Sequence, residues 1–335
     1  MHMADALISP ATALVMSGAA AVTLASAVRK VKGDQSFTDE KIAMMGIMGA
    51  FVFASQMINF AIPGTGSSGH IGGGLLLAAI LGPAPAYLAM AVVLIIQCLL
   101  FADGGLMALG CNIFNMGFLT TFAAYQFIFR PLAGHHPTRS SIMKASVISG
   151  IAGLVMGSTA VVLETTLSGI TELPFVTFAA LMIPVHIAIG AVEGIITGAV
   201  LSCIYEVNKN YLDFGIGRTA PKGDRKLKAG LGIATLVIAA VISLYASSSP
   251  DGLEWSVAGV LGNEELSTFS VMHEGSQQIT EATALMPDYT LGESSVPEPL
   301  QTSAAGIAGS LATLGIAIFA GKIIRKRKNN CTCCK

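Results

Sequence analysis

Charge is scarce in this sequence: only 12% of its 335 residues are Asp, Glu, Lys or Arg, about half the share usual in a soluble domain, and tryptophan occurs once. Water is therefore not its main solvent. Positive charge is in no excess, 19 Lys plus Arg against 20 Asp plus Glu, so the electrostatic footprint of a nucleic-acid partner is missing. The six cysteines build neither a secreted disulfide framework nor a zinc ribbon, since Cys98, Cys111 and Cys203 lie in apolar runs and Cys331, Cys333 and Cys334 crowd the tail. No Lys or Arg precedes the first apolar stretch, so the opening Met1-His2-Met3-Ala4-Asp5 reads as mature chain rather than secretory signal. Neither a Walker A pattern nor a His-Glu-x-x-His run occurs, which excludes a built-in ATPase motor and a zincin-type enzyme.

What fills the chain is apolar. Hydrophobic residues make up 53%, with 37 Gly and 15 Met, in runs near the ~20 residues that a bilayer-spanning helix needs. Segments are predicted near 9–28, 42–60, 70–81, 85–101, 106–129, 145–168, 175–205, 229–246 and 303–321. The fold class is an all-α polytopic membrane protein of about nine transmembrane or re-entrant helices. The segment 70–81 is short, set between a Gly/Ser/Pro loop and Gly82-Pro83, and is expected to wall a site.

All 19 basic residues fall within 29–41, 130–144, 209–228 and 322–335. Nine crossings put these stretches on one face, which the positive-inside rule makes cytoplasmic, leaving the N-terminus outside and the C-terminus inside. The other face carries Asp5, Asp103, Glu172 and an acidic stretch from Asp251 to Glu298, a field that attracts cations. Texture divides the chain into a membrane unit at 1–206, a basic linker at 207–228, a two-helix module with a long outer loop at 229–321, and a basic cysteine-containing tail at 322–335.

Two constellations point to metal chemistry. A free amine at Met1, the backbone nitrogen of His2 and the His2 Nδ1 can close adjacent five- and six-membered chelate rings, a nitrogen-rich array suited to nickel or copper rather than magnesium or calcium. On the same face the loop Pro63-Gly64-Thr65-Gly66-Ser67-Ser68-Gly69-His70 offers a fourth nitrogen from His70. Polar residues inside spans, Gln97, Asn112, Asn115, Glu164, His186 and Glu193, are costly there and demand a reason. Asn112 and Asn115 share a helix face and suit support of a site; His186 and Glu193 share another and suit structure or coupling. A competing reading makes Glu164, His186 and Glu193 the relay of a self-contained channel or secondary carrier. His135, His136 and His273 read as solvated loop residues.

The sequence resembles the substrate-binding membrane components of nickel and cobalt energy-coupling factor transporters. Met1-His2 with Asp5 is similar to the family's Met-His-x-x-Asp/Glu opening, and Ser68-Gly69-His70 before Gly73-Gly74 to its Ser-Gly-His loop. The stretches Asn112-Ile113-Phe114-Asn115-Met116-Gly117 and His186 to Gly194 resemble two further motifs, while Pro250-Asp251-Gly252-Leu253-Glu254 resembles the small accessory subunit of the nickel systems, here fused. Ala6 and Leu7 depart from the glycine and aromatic usual in the family. The resemblance implies Met1, His2 and His70 as metal donors, with Asp5, Ser68, Asn112, Asn115, His186 and Glu193 around them. It implies Ni2+ or Co2+ as transported substrate with no permanent cofactor, a transmembrane coupling component and cytoplasmic ABC ATPases as partners, and a prokaryotic inner membrane as location. Small residues, Ala21 with Ala25 and Gly46 with Ala50, are candidate docking faces for the coupling component.

Overall fold

In lipid a backbone must satisfy its own polar groups, so the long apolar runs wind into helices whose ends are set by local chemistry. The computed structural model describes residues 1–209, 212, 225–262, 270–292 and 296–331. Ser9 caps α1 (Pro10–Gly33), which takes Pro10 at its first position, and Thr38 caps α2 (Asp39–Gln56). A short ladder pairs β1 (Phe60–Ala61) with β2 (Ser68–Gly69), antiparallel. The helix α3 (Gly74–Leu81) is buried throughout and stops at Gly82, beyond which Pro83 starts α4 (Pro83–Phe101). Residues 109–133 form one helical run, α5, with π-type bonding over Ile113–Phe129. A Thr138/Ser141 capping box opens α6 (Arg139–Ser168), and α7 (Phe175–Val207) contains Pro184. The second module comprises α8 (Arg225–Ala240), α9 (Gly252–Leu261), α10 (Val271–Thr283) and α11 (Glu298–Cys331).

Six of these stretches are long and apolar enough to cross a bilayer: Pro10–Gly33, Pro83–Phe101, Arg139–Ser168, Phe175–Val207, Arg225–Tyr245 and Pro299–Lys326. The other segments read from hydropathy look different in three dimensions. Three charged residues open α2, and α3 has eight residues. Helix was expected from His70, yet it begins only at Gly74. The reason is local: Gly73 takes a left-handed φ of 77°, and the N–H groups of Gly72 and Gly73 are held by the Glu193 carboxylate at 3.1 and 3.0 Å.

Close helix approach positions that carboxylate. A Cβ on Gly190 would stand 2.7 Å from the Ile151 Cα, and one on Gly194 2.4 Å from the Val147 Cα, so α6 and α7 touch backbone to backbone. Between the modules, α11 lies along α2: a Cβ on Gly46 would meet Ile318 at 2.6 Å, and one on Gly49 would meet Thr313 at 3.2 Å. This corrects one expectation, because the small-residue face of α2 is covered by the chain's own second module. Ala21 and Ala25 on α1 are exposed. The cysteine tail adds nothing here, since the side chains of Cys331, Cys333 and Cys334 lie outside the described residues.

Candidate metal centre

The N-terminal segment folds back into the mouth of the bundle. Met3 is fully buried, and its backbone is gripped by Asn112, whose Oδ1 accepts from the Met3 N–H at 2.8 Å while its Nδ2 donates to the Met3 carbonyl at 3.2 Å. Gly105 N–H adds a second bond to that carbonyl at 2.9 Å. Asp5 Oδ1 accepts from the Ala108 N–H at 2.9 Å, and its Oδ2 takes the Ser276 hydroxyl. Six residues of irregular chain are thereby fixed ahead of α1.

These anchors set the first two residues. The Met1 amine is paired with the Asp251 carboxylate. The His2 side chain is only 7% exposed, with Nδ1 3.2 Å from Asp103 Oδ1 and Nε2 3.2 Å from Gln97 Oε1. Gln97 in turn donates to Gln56 at 2.9 Å, and Gln56 donates to the Gly72 carbonyl at 2.7 Å, so the His2 ring is tied to the loop that carries His70. The rings of His2 and His70 stack, centroids 5.3 Å apart and planes 20° from parallel. His70 Nδ1 faces the Ile71 carbonyl at 3.1 Å. Met1, His70, His186, Asp251 and Gly252 line a shared cavity of about 20 Å³, room for one water-sized species.

Burial decides protonation here. It pulls the His2 pKa below its usual value despite Asp103 nearby. Burial above all, and then the neighbouring ammonium, takes His70 down to about 3, so its imidazole is neutral at pH 7 and able to donate a lone pair. Burial opposes the Asp251 carboxylate, but the adjacent ammonium and its hydrogen bonds outweigh that and hold its pKa well below the carboxylate range. No three His, Cys, Asp or Glu side chains converge on one point among the described residues. A centre at this place would need main-chain nitrogen, which is what the Met1-His2 pattern offers.

Of the remaining candidates only His186 reaches the cavity wall. Ser68 binds the second module, its N–H donating to the Pro250 carbonyl and its Oγ to the Ser249 carbonyl, both at 2.7 Å. Asn115 reaches Glu164 rather than the cavity, at 2.8 Å. His186 donates from Nδ1 to the Met182 carbonyl at 2.7 Å and presents its ring edge to Gly252. Glu193 is spent on Gly72 and Gly73. His135 and His136 are exposed, as expected, but His273 is not: it is 1% exposed on α10, with Nε2 at 3.1 and 3.0 Å from the carbonyls of Asp5 and Ile8. Burial overrides its loop-like sequence context.

Sequence reasoning also passed over Asp251, Asp103 and Tyr289 as site residues. Tyr289 donates its hydroxyl to Asp103 and stacks on Phe101 at 4.8 Å. The Asp-x-x-Glu spacing of Asp251 and Glu254 signals a helix start, but nothing local tells that its carboxylate reaches a residue 250 positions away.

Residues 2–211 match the cobalt uptake substrate-specific transmembrane region, CbiM, and residues 225–326 match the PDGLE domain. A relative from Archaeoglobus fulgidus, named "Putative fused nickel transport protein NikMN", is 31% identical over 319 residues, spanning 94% of this chain and 96% of the relative. The fused nickel transport protein NikMN of Rhodobacter capsulatus is 28% identical over 273 residues, 76% of this chain and 75% of its own. A solved transition metal transporter, 33% identical, superposes with a TM-score of 0.54 over 62% of this chain and 94% of that one.

Proposed function

This chain belongs to the CbiM family of cobalt-uptake substrate-specific transmembrane regions, and from that premise we propose that its mouth captures divalent nickel or cobalt on the extracytoplasmic side for delivery across the membrane. The Met1 amine, the His2 backbone nitrogen, the His2 Nδ1 and the His70 imidazole are the donors. One observation carries the reading: the first two residues are folded back so that the His2 ring stacks on His70, while Met1 lines a cavity with His70. Loading then exchanges Asp103 for the ion at His2 Nδ1 and releases to solvent one proton from the Met1 ammonium and one from the His2 backbone N–H. Amine, amide and imidazole suit nickel and cobalt, and the two-module relatives named for nickel favour that metal.

The membrane sense is N-terminus outside, C-terminus in the cytoplasm. Ion pairs support it by gathering basic helix ends far from the mouth: Arg139 with Glu206 at 3.5 Å, Lys228 with Glu40 at 3.5 Å, and Arg325 with Asp39. Transport uphill needs an energy source, and the chain has no Walker A pattern. A transmembrane coupling component and cytoplasmic ABC ATPases of a prokaryotic inner membrane supply it in this reading. The carrier reading loses ground, since Glu164 engages Asn115, His186 the Met182 carbonyl and Glu193 the Gly73 N–H rather than one another.

Adding one residue before Met1 moves the amine and opens the chelate rings. Calorimetry on the purified full-length chain should show nickel affinity lost by at least about 100-fold, beyond the 10–100-fold typical of losing an outer partner of a metal ligand. Unchanged affinity rejects the proposal.

A further inference from the structure

The residue facing the N-terminal amine comes from the second module, outside the region matched to the transmembrane family. Asp251 has little freedom there. Its Oδ1 caps α9 by accepting from Leu253 N–H at 2.8 Å and Glu254 N–H at 2.9 Å, while Glu254 accepts from the Asp251 N–H at 2.9 Å. The preceding residues are clipped to Ser68, two positions from His70. The following Gly252 packs so tightly that a Cβ would lie 3.1 Å from the His186 ring and 3.1 Å from Ile189. With Oδ1 committed to the cap, Oδ2 is left for the Met1 amine.

A primary amine bound to a metal gives up one lone pair and keeps two N–H bonds. One of these can donate to a carboxylate while the lone pair points to the ion, just as carboxylates orient metal-binding imidazoles from outside the coordination sphere. We propose that Asp251 is the positioning residue of this metal centre: a carboxylate of the second module that orients the Met1 amine toward the cavity shared with His70, so that both modules build the site. The inference rests on the reading of the amine as a metal donor.

Asp251→Asn separates this role from the cap. Asn caps helices as well as Asp, so α9 keeps its start, while the negative charge facing the amine is removed. In the full-length chain the variant should keep α9, unfold somewhat earlier because the buried amine loses its charged partner, and lose nickel affinity about 10–100-fold by calorimetry. Without added metal, acylation of the Met1 amine by an amine-selective reagent, read by mass spectrometry on the N-terminal peptide, should be slower in the wild type than in the denatured chain. It should be faster in Asp251→Asn than in the wild type. Wild-type affinity in the variant, or an amine that acylates no faster than in the wild type, overturns the assignment. If the wild type binds no nickel, the proposed function falls, while the acylation rates still report whether Asp251 holds the amine. A variant that does not fold leaves the native-against-denatured comparison, in which equal rates also overturn it.

Discussion

At the mouth of the bundle, four charged or polar pairs join distant parts of the chain: Met1 with Asp251, His2 with Asp103, Asp5 with Ser276, Asp103 with Tyr289. At the opposite end, Arg139 and Glu206 pair while 78% and 62% exposed. The difference teaches where substitutions should matter. A buried polar group that loses its partner retains the full cost of desolvation, whereas an exposed pair trades with water and is screened by salt. The mouth also joins the two modules, through Asp251, the clip of Ser68 to Ser249 and Pro250, the His273/Ser276 face of α10, and Tyr289, so its geometry is shared property.

His70→Ala is the sharpest test of that contrast. It removes one of four proposed nitrogens, and since the imidazole is already neutral at pH 7, no proton need leave it on binding. Nickel affinity should fall at least about 100-fold by calorimetry, more than an outer-sphere loss would give. Because His70 donates to no distant element, the unfolding temperature should change little; a large drop in stability would instead make it a structural histidine.

Next in size comes Glu193→Gln. The carboxylate accepts from two successive glycine N–H groups, and an amide offers one oxygen, so one buried donor is left unmet at about 1–3 kcal/mol. Gly72 and Gly73 sit directly behind His70, so the loosened loop should weaken nickel binding by roughly tenfold, a smaller loss than removing the ring itself. Equal losses in both variants would place Glu193 on the ion and redraw the site.

Hydropathy was enough to place most helices, and Gly82-Pro83 marked the break between α3 and α4 because proline cannot continue a helix. The start of α3 was not legible: its controlling partner, Glu193, lies 120 residues downstream. The same holds for the site. Met1, His2 and His70 stood out by the chemistry of their donors; the rings of His2 and His70 stack, and Met1 and His70 line one cavity. Asp251 showed only its capping pattern, Asp103 only its charge, and His273 looked like a loop residue, because tertiary contact alone gives each its partner. Small residues on α2 were legible as a close-packing face, but sequence carries no sign of whether the neighbour is another protein or the chain's own α11.

The smallest effect belongs to Arg139→Ala. Arg139 occupies the first position of α6 and Glu206 the last turn of α7, so each sits at the helix end whose partial charge disfavours it. Their mutual attraction at 3.5 Å offsets part of that penalty, and exposed pairs of this kind contribute only about 0–1 kcal/mol. The variant should unfold within about 1 kcal/mol of the wild type, in either direction, and bind nickel unchanged. In the proposed membrane sense such residues serve orientation, not stability: basic charge at this end keeps these helix ends on the cytoplasmic side. A large destabilisation that vanishes in high salt would show that this end, too, depends on specific pairing, and the contrast with the mouth would be lost.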